Sequence, residues 1–91
     1  KMIEILEYDR VYNTKYMKTL WVYLNDDKNA QKTSVEMGVH RNTTNYRLRK
    51  IEDLFALDFT DSWLMLRIYL SYLIHLYYTE KQQEEALLGL L

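Results

Sequence analysis

"NAQKTSVEMGVHRNTTNYRLRKIEDL", residues 29–54, holds two helical patterns joined at a single glycine. Asn29 offers a side-chain acceptor directly before a helix-forming run, which predicts a capped short helix from Ala30 to Met37. Gly38 follows at the place where helices commonly end in a left-handed residue. A second helix begins at His40 or Arg41 and runs to about Leu54. Thr44, Leu48, Ile51 and Phe55, spaced 4,3,4, predict its buried stripe. Positions 41, 42, 45, 46 and 49 then face outward. A short helix, a tight turn and a longer helix make the helix-turn-helix pattern, whose second helix lies in a DNA major groove.

The charges agree with that reading. Lys28, Lys32, Arg41, Arg47, Arg49 and Lys50 stand against the single acid Glu36, so residues 28–50 carry a net +5 in a chain of net -1. Residues 51–91 carry -5 and residues 1–27 carry -1. A whole-chain balance near neutrality therefore hides a basic segment, and the local distribution decides what the chain can bind. Arginine forks onto guanine and asparagine onto adenine. Arg41, Asn42, Asn45 and Arg49 are accordingly the candidate base contacts. Thr43, Tyr46, Arg47 and Lys50, with His40 and the preceding Lys28 and Lys32, are the candidate contacts to the DNA backbone. For His40 a helix-capping role is the alternative, and for the whole basic face plain solvation is.

The rest of the chain is also helical in pattern. With 91 residues, no proline and two glycines, one small all-α domain of about five helices is expected over 1–91. A first helix spans Ile3 to about Tyr12, with Ile3, Leu6 and Val11 inward. Asn13 or Thr14 caps a second helix to about Leu24, on which Tyr16, Leu20, Val22 and Leu24 supply apolar surface and Met17, Trp21 and Leu24 form a stripe. "NDDKN" (25–29) is a loop. "LDFTD" (57–61) breaks the fourth helix, and Thr60 or Asp61 caps the fifth. There Arg67, Ser71 and His75 mark a polar stripe, opposite Leu66, Leu70, Leu73 and Tyr77. The tail "TEKQQEEALLGLL" has helical propensity with little to anchor it.

Several functions are disfavoured. With no cysteine and two histidines, neither a disulfide framework nor a structural zinc site is expected, and no cofactor is implied. Too few glycines exist for a phosphate loop, and no acid stands at 78 or 79 to orient His75 toward a Ser71 nucleophile. Catalysis is not expected. Trp63 to Tyr78 is short and interrupted by Arg67, Ser71 and His75, so no membrane span is expected and a cytoplasmic location is the default. A chain opening at Lys1 reads as part of a longer protein.

The run His40, Arg41, Asn42, Thr43, then Tyr46, Arg47, Leu48, then Ile51, Glu52, Asp53 resembles the C-terminal helix-turn-helix domain of the PucR/CdaR family of bacterial transcriptional regulators. Asn29 and Thr33 match that family's preceding helix, and "LDFTD" its usual link to a last helix. The likeness covers roughly residues 17–78. It implies binding to operator DNA for a regulator whose other region senses a metabolite or another signal, with members controlling purine or sugar-acid genes. Two positions depart: Thr44 stands where the family usually has leucine or valine, and Ser34 where it favours alanine. Ser34 can satisfy its hydroxyl on a preceding carbonyl, whereas Thr44 puts a hydroxyl in the core.

The rival reading is a helical interaction domain. Nine tyrosines, among them Tyr69, Tyr72, Tyr77 and Tyr78, exceed what a small core buries and suit a protein interface. Part of the last helix, or the first, is expected to pair with a second copy or with a region outside this chain. A homodimer is the expectation, through these helices or through such a region, since two-fold readers of paired half-sites are the usual form of this motif.

Overall fold

The computed structural model describes residues 1–89 and comprises five helices: α1 (Met2–Tyr12), α2 (Tyr16–Asn25), α3 (Ala30–Met37), α4 (Arg41–Phe55) and α5 (Ser62–Gly89). No strand occurs among the described residues. Leu90 and Leu91, the end of the helix-prone tail, lie outside them. Helices α2, α3 and α4 contact one another, while α1 and the first half of α5 close over α2. The core they enclose consists of Ile5, Tyr16, Met17, Leu20, Ile51, Phe55, Leu57, Met65 and Ile68. The expected stripe of α4 is buried as spaced: Thr44, Leu48, Ile51 and Phe55.

On α1 the inward face differs from the expectation. Ile3 is 75 % exposed and Val11 54 % exposed, whereas Ile5 is fully buried and Leu6 half-buried. One apolar stripe that includes Ile5 suffices because α1 packs mainly along α2 and α5. Tyr8 completes it, lying edge-on to Phe55 at 5.6 Å and stacked on Tyr16 at 5.7 Å.

The start of α2 is built by a residue from the preceding helix. Asn13 adopts φ 53°, so it ends α1 in the left-handed region and does not cap α2. Nor does Thr14 cap it; its hydroxyl donates to Asp9. Asp9, projecting from α1, accepts the amides of Tyr16 and Met17, both at 2.9 Å. One carboxylate thus satisfies two otherwise orphaned helix amides and fixes the α1–α2 corner.

Helix α5 is 28 residues long, which at 1.5 Å per residue is roughly 42 Å and accounts for the 46 Å long dimension of the molecule. Its N-terminus is capped by Asp61, which accepts the Leu64 amide at 3.0 Å, while Thr60 bonds to Asp58. Met65 and Ile68 are buried and Leu64, Tyr69 and Tyr72 partly so. Trp21 stacks on Tyr69 at 4.5 Å, and the Tyr69 hydroxyl donates to Asn25. Arg67 and Ser71 line a cleft with Lys1 and Met2 at the α1 side. The opposite stripe, Leu66, Leu70, Leu73 and Tyr77, does not enter the core and stands exposed. Beyond Tyr72 the helix leaves the body of the domain, with Thr79 alone half-buried.

Candidate nucleic-acid interface

The α3–turn–α4 unit is held by backbone chemistry specific to its residues. The Asn29 side chain accepts the Lys32 amide at 3.0 Å. Gly38 has φ 66°, and the Val39 amide reaches back to the Ser34 carbonyl at 3.0 Å. A side chain at 38 would meet no atom within 4 Å, so it is the left-handed φ, not space, that calls for glycine. His40 caps α4: its Nδ1 accepts the Asn42 amide at 3.0 Å. In the tautomer that accepts there, the proton sits on Nε2, an outward donor on an exposed side chain. The capping role and a backbone contact are therefore compatible.

The two helices are pinned together by a buried hydroxyl pair. Ser34 Oγ lies 2.7 Å from Thr44 Oγ1 and 2.8 Å from the Ala30 carbonyl. Ser34 has one proton for two neighbours, so using each proton once runs the bonds from Thr44 to Ser34 to Ala30. The hydroxyl that the sequence places in the core at Thr44 thus has its partner in Ser34.

The outward positions, Arg41 apart, fall as spaced. Asn42, Tyr46 and Arg49 are exposed and Asn45 half-buried, on the flanks and side of α4 away from its buried stripe. Arg41 stands three residues before Thr44, on the stripe side, and is exposed because it opens the helix. Thr43, Arg47 and Lys50 are half-buried. Lys50 holds its ammonium 5.8 Å from the centre of the Tyr46 ring, a cation–π distance. Arg47 points its Nη1 to Thr19 Oγ1 at 3.4 Å; the Thr19 hydroxyl itself donates to the Lys15 carbonyl at 2.7 Å. This tether to α2 has no signal in the sequence, because the two residues stand 28 positions apart. Lys32 is exposed on the first turn of α3. Lys28 is the outlier: its ammonium donates to the Phe59 carbonyl at 2.7 Å and ties the 25–29 loop to the α4–α5 link.

The cations of the face make no close ion pair. Among the described residues the one close ion pair is Arg10 with Glu7 on α1, which holds Glu7 below the ordinary carboxylate range. None of the six cations of residues 28–50 forms a close ion pair there, and of them Lys28 lies near enough to Asp58 to help lower its pKa. Tyr16, behind the face, has its phenol pushed up first by burial and then by Tyr46, so it is a neutral donor at physiological pH. No group of three or more potential metal ligands occurs among the described residues, and no described helix is long and apolar enough to cross a membrane.

Comparison with known proteins meets this geometry. A model of the PucR C-terminal helix-turn-helix domain matches residues 16–74, which span α2 to the anchored half of α5. The proline-responsive transcriptional activator PutR of Bacillus subtilis is 27 % identical over 66 residues, covering 72 % of this chain and 16 % of PutR. The DNA-binding transcriptional activator AdeR of the same organism is 31 % identical over 65 residues, covering 71 % of this chain and 15 % of AdeR. The chain thus spans about a sixth of the length of these relatives. No solved structure matches. With a capped α3, a left-handed Gly38 turn, an exposed basic α4 and this family match across most of its length, the chain belongs to the PucR C-terminal helix-turn-helix domain family and is a DNA-binding module of transcriptional regulation.

Proposed function

We propose that α4 enters the major groove of double-stranded DNA, reading bases with Arg41, Asn42, Asn45 and Arg49. His40, Thr43, Tyr46, Arg47 and Lys50, with Lys32 and Lys28 on the preceding elements, meet the sugar–phosphate backbone and set the docking angle. The observation that carries this reading is the row of exposed arginine and asparagine side chains on a helix with no carboxylate paired to its cations. Such a surface gains by releasing counterions from DNA. Lys28 reaches a phosphate only by leaving or sharing the Phe59 carbonyl, so it is the outermost of these contacts.

The whole protein, in this proposal, is a cytoplasmic regulator of the PucR and CdaR type, with a sensing region elsewhere in the chain and operator DNA as its target. The activator names of the two relatives agree with control of transcription. It acts as a homodimer through the outer face of α5. Trp63, Leu66, Leu70, Leu73 and Tyr77, spaced 3,4,3,4, form an exposed apolar strip roughly 20 Å long at 1.5 Å per residue. A second copy covers such a strip by presenting the same strip. The strip supplies the centre of an interface, and neighbouring Ile74 and Tyr78, also exposed, widen it.

Selection of bound duplexes from a randomised library tests the reading. Enrichment of a two-fold symmetric motif is the expected result, and Arg49→Ala should relax the preference at one position by about 1–3 kcal/mol. No enrichment at low salt overturns it. Leu70→Glu should convert a dimer to a monomer in sedimentation equilibrium; an unchanged mass sinks the α5 seam.

A further inference from the structure

Beside α4 lies a concavity of about 320 Å³ between the α1–α2 corner and the recognition helix. Asn13, Thr14, Lys15, Tyr16, Thr43, Tyr46 and Arg47 line it. Two cations and several hydroxyls face it, and no acid does. Asp9, the nearest carboxylate in sequence, is occupied by the amides of Tyr16 and Met17 and by the Thr14 hydroxyl. Arg47 is held at its rim by Thr19, so one cation is already positioned. Lys15 is exposed and its side chain makes no capping bond, although it stands at the cap position of α2. Tyr46, 52 % exposed, adds a ring against which an apolar sugar face packs.

We propose that this concavity seats one deoxyribose-phosphate of the strand flanking the groove, with Lys15 and Arg47 on the phosphate and the Tyr46 ring against the sugar. The inference rests on the proposed entry of α4 into the major groove and adds a contact from α2, outside the helix-turn-helix motif. A helix inserted by its outward face brings the phosphates of both groove walls close to its sides. Lys32 on α3 serves one wall, and the Lys15–Arg47 seat serves the other. Clamped from both walls, α4 loses its freedom to roll in the groove, and base contacts keep one register.

Because the seat reads only backbone, its test needs no operator. Binding to a mixed-sequence duplex is measured by fluorescence anisotropy across a series of salt concentrations, for the wild type, Lys15→Gln, Lys15→Arg and Lys81→Gln. Lys81 lies on the exposed distal part of α5 and serves as the charge-matched control. Lys15→Gln should bind several-fold more weakly and lower the salt slope by about 0.9, the loss of one phosphate contact. Lys15→Arg should restore both and Lys81→Gln should change neither. An unchanged slope in Lys15→Gln, with Arg49→Ala still impaired in selecting sequences, overturns the seat and leaves the groove reading standing. A wild-type domain that binds no duplex at low salt removes the groove reading and the seat with it.

Discussion

The Ser34–Thr44 pair gives a quantitative test of how α3 is set against α4. Ser34 is 3 % exposed and Thr44 fully buried, so neither hydroxyl has water as a substitute partner. In Thr44→Val, a near-isosteric change, Ser34 keeps its bond to the Ala30 carbonyl and loses one neighbour. The cost should be about 1 kcal/mol, the net worth of an ordinary hydrogen bond. In Ser34→Ala the buried Thr44 hydroxyl is left without its partner, and the cost should rise to about 2 kcal/mol, nearer the desolvation penalty of an unpaired group. The double variant has no hydroxyl left to satisfy and should lie within about 1 kcal/mol of wild type. The singles then overestimate the double by about 2 kcal/mol, well outside the about 0.5 kcal/mol scatter of independent sites. Urea unfolding followed by far-UV circular dichroism, with a common m-value, measures all four corners of the cycle. Additive losses would refute the pairing as the reason both hydroxyls are tolerated. The double variant should also retain DNA binding, since no outward residue has changed.

Other outcomes follow from particular positions. Ala56 ends α4 with φ 50°, a left-handed conformation that costs a residue with a Cβ, and its side chain is exposed. Ala56→Gly should therefore stabilise the fold by about 1 kcal/mol, read as a higher urea midpoint; a lower one would contradict the strain argument. Asp9→Ala strips the α2 amides of their acceptor and should cost about 2 kcal/mol in the same assay, with Asp9→Asn losing less. Glu36 has its pKa raised first by the neighbouring Asp26 carboxyl and then by desolvation. A raised folded pKa means that the fold holds this proton more tightly than the unfolded chain. The stability it contributes is present below the ordinary glutamate value and is lost as pH rises through the folded value. Glu36→Gln should abolish that decline and leave the protein more stable than wild type at neutral pH. Asp58 has the opposite sign: held down by the Thr60 hydroxyl and amide, it gives stability that is lost only as pH falls through its depressed value. A pH titration of thermal stability separates the two windows.

Local rules were enough to read α3, its turn and α4 from the sequence. Asn29, Gly38 and the 4,3,4 stripe act through contacts within a few residues, and the structure places each as spaced. The same holds for Asp61 as the cap of α5 and for positions 42, 45, 46 and 49 of α4, because a helix of known phase sets the direction of every side chain on it. Arg41 is exposed through its place at the helix start, since its phase puts it beside Thr44. Tertiary contact decided the rest. The apolar residues of α1 and α5 offer more than one stripe each, and only the position of α2 selects Ile5 over Ile3 and Met65 with Ile68 over Leu66 with Leu70. Asp9 as the cap of α2, Thr19 as the tether of Arg47, and Ser34 as the partner of Thr44 each join residues with no periodic relation. Periodicity reports which side of a helix is apolar; which other helix meets that side, and which polar group waits there, is settled only when the chain closes on itself.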